Sequence, residues 1–305
     1  MVNNISRMTL GTVQLGMNYG IANDLGMPDE QKSFSMLSAA LQNGVTSLDT
    51  ARNYGVSELV IGKFLKSYEG ELPYITSKIK VTPDEEVDIE KHVITSAEES
   101  LERLGLKKVD CFLVHNVKDM FRYGESLAAA MSLLVKKGYA DTVGVSVYLG
   151  GELDEMFKYS VYSATQIPAS IFDQRIIASG HNLRLKERGY TVFVRSVFLQ
   201  GLFFLDPDKV DDPILLEHAV PKIRLLREIA QSEGMSLAQL AIAFMRDTAG
   251  FTSLVLGADT PEQVIEDLAY FEAPPLPEAT VRRLTTEFAS VDIPEIMKVL
   301  SRPKK

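Results

Sequence analysis

Eight times along this chain a short apolar, β-branched run is followed by a stretch with the apolar spacing of a helix, and few folds accommodate that many strand–helix units. The strand-like runs are predicted at residues 8–12, 46–49, 74–78, 109–115, 142–147, 164–167, 191–195 and 253–256. The helical stretches between them carry their own punctuation. Residues 29–43 gather Phe34, Met36, Leu37, Ala40 and Leu41 on one face and stop at Gly44. Residues 87–104 end at Gly105, 126–137 at Gly138 and 183–188 at Gly189, while Thr260-Pro261-Glu262 reads as a cap, a first-turn proline and an acidic first turn. Short connections and the lack of a Pro/Gly/Ser-rich linker favour one domain over residues 1–305, a parallel (β/α)8 TIM barrel of class α/β. An open doubly wound sheet is the alternative. It wants G-x-G-x-x-G after the first strand, where this chain has Leu10-Gly11-Thr12-Val13-Gln14-Leu15-Gly16. Past the eighth unit, Pro274-Pro275-Leu276-Pro277 breaks the alternation, and a helix over 278–289 is expected as a C-terminal helical extension packed on the barrel.

Bulk properties narrow the partners. With 305 residues, 46% of them hydrophobic, the chain is long enough for a sizeable core. A net charge of -9 argues against nucleic acid and against an anionic membrane surface. No stretch reaches the roughly 20 apolar residues of a membrane span. The start, Met1-Val2-Asn3-Asn4-Ile5-Ser6-Arg7, lacks the basic and apolar regions of a signal peptide, and Cys111 has no second cysteine to pair with. A cytoplasmic location is therefore expected.

Barrel enzymes place their chemistry where strands end. Here the second run ends in Asp49, the third in Lys78 and the fourth in His115, with Tyr54 in the loop after the second. A free tyrosine is a poor acid near neutrality, but a neighbouring ammonium stabilises its phenolate. Lys78 is placed to supply that charge and Asp49 to hold Lys78, leaving His115 to hydrogen-bond a substrate oxygen. Hydride arriving at a carbonyl carbon creates an alkoxide that needs a proton, and Tyr54 would deliver it. Taken singly, each side chain has a plainer role: strand terminator, snorkelling lysine, satisfied histidine, packed tyrosine. Taken together, four ionisable groups at three successive strand ends are hard to explain as packing.

The stretch Gly44-Val45-Thr46-Ser47-Leu48-Asp49-Thr50-Ala51-Arg52-Asn53-Tyr54-Gly55 resembles the signature of the aldo-keto reductases, with Ser57, Glu58 and Gly62 following in register. The resemblance runs through nearly the whole chain and implies a nicotinamide-dependent reductase or dehydrogenase acting on an aldehyde, ketone or aldose. Asp49, Tyr54, Lys78 and His115 fall at its catalytic positions. The resemblance also implies cofactor contacts from Thr12 in the first-strand turn and from Ser146 and Gln166 at the nicotinamide. Ser196, Leu199 and Gly201 would cover the pyrophosphate, Arg195 stands just before them where an aromatic often stacks on nicotinamide, and Gly257, Asp259 and Gln263 lie at the adenosine end. Three departures stand out: Val147 follows Ser146 where the family has Asn, Arg195 replaces a common aromatic, and Asp259 replaces a common basic residue. A carboxylate at Asp259 repels a 2′-phosphate, so NAD(H) is expected to be accepted beside or in place of NADP(H). The first-strand turn, Ile167-Pro168, Phe172-Asp173-Gln174-Arg175 and the run from Arg195 to Gly201 are similar to a bacterial branch often associated with surface-sugar metabolism. Arg195 at the mouth suits an anionic group on the substrate.

Two other classes stay open: a barrel enzyme forming a Schiff base on Lys78, and a regulatory protein that binds cofactor with weak turnover. No metal site is expected, since His92, His181 and His218 lack spaced partners. Cys111 is expected to be buried and inert.

Overall fold

A computed structural model describes residues 5–23, 25–81 and 88–302. Its eight strands are β1 (Met8–Gly11), β2 (Ser47–Asp49), β3 (Tyr74–Ile79), β4 (Val109–Val114), β5 (Ala140–Ser146), β6 (Tyr162–Pro168), β7 (Thr191–Arg195) and β8 (Ser253–Gly257). They close in sequence order into a parallel barrel, and β8 returns to β1 with Leu10 beside Leu256 and Gly11 beside Gly257.

The alternation of strand side chains builds two separate cores. Leu10, Leu48, Ile75, Phe112, Val114, Val143, Val145, Val192, Val194 and Leu254 face outward into one large apolar cluster with the helices. The inward set is smaller: Cys111, Leu113 and Ala164 form their own cluster against Tyr74. At the barrel floor the Thr9 hydroxyl lies 2.7 Å from those of both Ser47 and Ser253. Gly144 is required where β5 meets β6, because a Cβ there would collide with the Ala164 carbonyl. The strands' polar residues are thereby raised, layer by layer, to the C-terminal mouth.

Helix Glu30–Gln42 is capped by Asp29, Ile89–Leu104 starts at Asp88 and ends on left-handed Gly105, and Pro261–Phe271 is capped by Thr260. Val87, the expected start of the second of these, lies outside the described residues. The helix expected at 126–137 begins earlier, at Val117, because Asn116 caps it by accepting from the Lys118 amide; Gly124 then interrupts its regular geometry. The stretch expected at 183–188 is helix His181–Glu187. Helices Ser57–Ser67, Val220–Ser232 and Leu237–Arg246 also fill units whose helices the sequence pattern did not mark.

The C-terminal extension is two helices, Glu278–Glu287 and Ile293–Leu300. Phe288 stacks on Phe172 at 5.1 Å between ring centres, and Phe172 meets Phe203 at 4.7 Å. Gln174 donates to the Leu284 carbonyl at 3.1 Å, so the extension braces the segments after β6 and β7. No described helix is long and apolar enough to cross a membrane.

The Thr9 hydroxyl is the shared partner of two buried hydroxyls, so Thr9→Val should lower unfolding free energy by about 1–3 kcal/mol in urea titrations. Thr9→Val combined with Ser47→Ala and Ser253→Ala should recover part of that loss; no recovery would show that packing at the floor, rather than hydrogen bonding, sets the cost.

Candidate active site

Lys78 is fully buried on the inner face of β3. Its ammonium donates to Asp49 Oδ2 at 2.7 Å, to the Thr50 carbonyl at 3.0 Å and to the Tyr54 hydroxyl at 3.3 Å. Burial pushes Lys78 down, yet Asp49 and then Tyr54 more than reverse this, so it is held above its ordinary value. A lysine kept protonated is a poor nucleophile, which counts against a Schiff base. The second Asp49 oxygen, Oδ1, accepts from Gln166 Nε2 at 2.7 Å. Gln166, which lines the adjoining cavity, is thus tied to the ion pair through its amide nitrogen.

His115 sits edge-on to Tyr54, 5.7 Å between ring centres. Burial first, then Lys78, Arg195 and Lys80, lower His115 to about 3. It is therefore neutral across the physiological range and keeps one N–H to donate. Its Nδ1 is buried with no hydrogen-bond partner among the described residues.

The Tyr54 loop is clamped from below. Ser57 donates to the Thr12 carbonyl at 2.9 Å and meets the hydroxyls of Thr12 at 2.8 Å and Thr50 at 3.0 Å. Buried Glu58 accepts from Ser77 at 2.7 Å and pairs with Arg103 at 3.2 Å, and Arg103 donates to the Gly55 carbonyl at 2.5 Å. Gly16 lies directly on this loop; a Cβ there would strike the Tyr54 carbonyl and the Ser57 amide. The neighbours of both Tyr54 and Lys78 are thus gripped by one network.

Tyr54 lines one cavity and His115 lines another. One, about 520 Å³, runs from Asp49 and Tyr54 past Gln14, Arg195 and Gly201 to Asp267. Of the sequence-nominated cofactor residues, Thr12, Gln166, Arg195, Ser196, Gly201, Gly257, Asp259 and Gln263 line it; Ser146 and Leu199, both buried, do not. Its cover is backbone in an uncommon conformation: Ser196, Leu199 and Gln200 have φ of 64°, 46° and 57°. Three non-glycine residues in the left-handed region within one loop mark a segment shaped for a ligand rather than for stability. Gln14 Oε1 and Arg195 Nη2 are buried beside this cavity with no hydrogen-bond partner among the described residues. Such orphans suit an elongated polar ligand, and a nicotinamide dinucleotide fits in character. The far end presents Asp259, Glu266 and Asp267, and among the described residues the cavity's one lining cation, Arg195, is at the other end. The second cavity, about 530 Å³, is lined by Asn53, Lys80, His115, Lys118 and Tyr148, among others.

The model of the Aldo/keto reductase family matches residues 7–286. The chain belongs to the aldo/keto reductase family. The L-glyceraldehyde 3-phosphate reductase of Escherichia coli (strain K12) is 26% identical over 299 residues, covering 86% of this chain and 84% of its own. The glycerol dehydrogenase AKR11B4 of Gluconobacter oxydans shares the fold at a TM-score of 0.77 and 19% identity, over 100% of this chain and 95% of its own. A Klebsiella pneumoniae aldo/keto reductase solved with NADP and acetate aligns at TM-score 0.70 and 18% identity, over 93% and 92%. Members of this family are oxidoreductases acting on carbonyls and sugars, which fits the mouth chemistry described above.

Tyr19, Gln14, Lys80, Tyr148, Glu266 and Asp267 escaped the sequence reading. Tyr19 reaches the mouth from the segment after β1, and burial, then Tyr54, push its hydroxyl up to about 12. Nothing in local pattern singles it out. Asp267 carried a usable signal, lying one helical turn beyond Gln263. Cys111 is buried as expected, its thiol pushed up to about 12 by burial. No cluster of metal-ligating side chains occurs among the described residues.

Burial and then Glu266 raise Asp267 from 3.8 to about 7. Between those values the folded protein holds a proton that the unfolded chain has released, so stability falls as pH rises through that window. Asp267→Asn is expected to raise the urea midpoint relative to the parent more at about pH 8.5 than at about pH 5. Equal shifts at both pH values would show that Asp267 does not titrate there.

Proposed function

We propose that this chain transfers hydride between a nicotinamide cofactor and an aldehyde, ketone or aldose, with Tyr54 as the general acid/base and NAD(H) preferred to NADP(H). The observation that carries this reading is the Lys78–Tyr54 contact of 3.3 Å, backed by a buried Asp49 and bordered by a neutral His115.

The cofactor, when bound, supplies or accepts the hydride at the carbonyl carbon. Gln14, Gln166, Ser196, Gly201, Gly257 and Gln263 would hold it. His115 donates its N–H to the carbonyl oxygen and orients it toward Tyr54. As negative charge grows on that oxygen, Tyr54 transfers its hydroxyl proton there, and the Lys78 ammonium stabilises the phenolate that remains. Asp49 keeps Lys78 charged and pointed at Tyr54. In the reverse direction the phenolate takes the proton from the alcohol. Because His115 is neutral above about 3, no rate limb near the usual histidine value is expected.

The acidic far end supports NAD(H): the Asp259 and Glu266 carboxylates repel a 2′-phosphate and can accept from ribose hydroxyls. The E. coli relative's name points to a phosphorylated aldehyde as one substrate to try.

Tyr54→Phe should cut kcat by about 100-fold or more while leaving the cofactor's Kd, read by fluorescence titration, within about threefold. Retained turnover would overturn the proton-donor role. In the same titration NADH should bind more tightly than NADPH, and a strong NADPH preference would sink the cofactor assignment.

A further inference from the structure

The cavity beyond His115 carries a charge at odds with the rest of the chain. The protein's net charge is -9, yet Lys80 and Lys118 line this cavity and neither is in an ion pair among the described residues. Lys80 follows β3 directly and Lys118 lies in the first turn of helix Val117–Lys136, so both are placed by the elements that position Lys78 and His115. Among the described residues the lining's one acid is Glu152, whose carboxylate accepts from the amides of Tyr148 at 2.5 Å and Leu149 at 3.0 Å.

Arg195 completes the set from the other side. Its guanidinium lies over the Tyr148 ring, 4.5 Å from the centre, and Tyr148 lines the second cavity while Arg195 lines the first. No carboxylate pairs with it among the described residues; Nη1 reaches only the Ser196 hydroxyl at 3.4 Å, and Nη2 is buried without a partner. A half-buried guanidinium without a counter-ion is costly, and an arriving anion removes the cost. The same side chain and Lys80 both help to lower His115.

We propose that this cavity is an anion subsite, and that the carbonyl substrate carries a phosphate ester or carboxylate held by Arg195, Lys80 and Lys118 while its oxygen lies between Tyr54 and His115. The assignment rests on the oxidoreductase reading above and narrows its substrate class. It gives Arg195 a partner on the substrate in addition to its place in the wall of the first cavity. The planar guanidinium offers two parallel donors, matching either anion, and the lysines add positive charge along the approach. Cations gathered at this mouth also draw in a substrate that the acidic surface would repel.

The test compares matched pairs with NADH: glyceraldehyde 3-phosphate against glyceraldehyde, and succinic semialdehyde against butanal. The parent protein should favour the anionic member in kcat/KM by about tenfold or more, and the better pair tells phosphate from carboxylate. Arg195→Met should reduce that ratio by about tenfold, Arg195→Lys less, and the exposed double change Lys80→Met/Lys118→Met by severalfold with normal circular dichroism. A ratio near one in the parent, or one that survives both Arg195→Met and the lysine pair, overturns the proposal. Calorimetry with glycerol 3-phosphate, with and without NAD⁺, gives a readout that needs no turnover. If no carbonyl is reduced, the oxidoreductase reading fails. Arg195-dependent binding of glycerol 3-phosphate would then still support the subsite, and its absence would overturn that too.

Discussion

The buried Lys78–Asp49 pair is the constraint around which the mouth of this barrel is arranged. An ammonium with no exposure loses nearly all its hydration, and a single carboxylate rarely repays that loss. Here the loss is shared out: Lys78 finds three acceptors between 2.7 and 3.3 Å, and Asp49 finds a second donor in Gln166. Removing either charge would strand the other at a cost of about 3–5 kcal/mol. The pair therefore holds Tyr54, Gln166 and the β2–β3 edge in one geometry, and the chemistry inherits its order from that electrostatic necessity.

A charge pair of this kind is useful only if the loop bearing Tyr54 stays still. Two independent grips see to this. The Ser57 hydroxyl ties the loop to Thr12 beneath β1, and the Glu58–Arg103 pair ties it to Ser77 on β3 and to a helix outside the barrel. Glu58 reaches Ser77 on the outward face of the strand whose next residue, Lys78, faces in. One strand thus carries a structural carboxylate contact on one side and the acid–base contact on the other, a direct use of strand alternation.

The loop after β7 is built on the opposite principle. Its three left-handed non-glycine residues each cost about 1–3 kcal/mol, sustained only because the surroundings hold them. Val197, Leu199 and Leu202 are buried, Phe198 packs on Phe204 at 5.2 Å, and Phe203 belongs to the aromatic stack that the C-terminal extension completes through Phe288. The extension is therefore part of the site's support, although it lies far from Tyr54 in sequence.

By itself the sequence determined the eight strands and the barrel and brought out the four ionisable residues at its mouth, because each is encoded locally. Alternation along a strand is read from neighbours two residues apart, and Asp49, Tyr54, Lys78 and His115 each sit at the end of a recognisable run. It also pointed to Asp259 and Arg195 as departures from a common pattern. The early start of helix Val117–Lys136 was less legible, because Gly124 interrupts its periodicity. Only the tertiary structure decided what surrounds the reacting centre. It left Ser146 and Leu199 out of the lining of the cavity beside Tyr54 and brought Tyr19, Tyr148, Lys80 and Asp267 into the two cavities. It also left Arg195 facing an aromatic ring instead of an acid. Closing a barrel brings residues from eight separate loops to one rim, and which side chains meet there depends on loop geometry and long-range charge balance. Neither leaves a periodic trace in the chain.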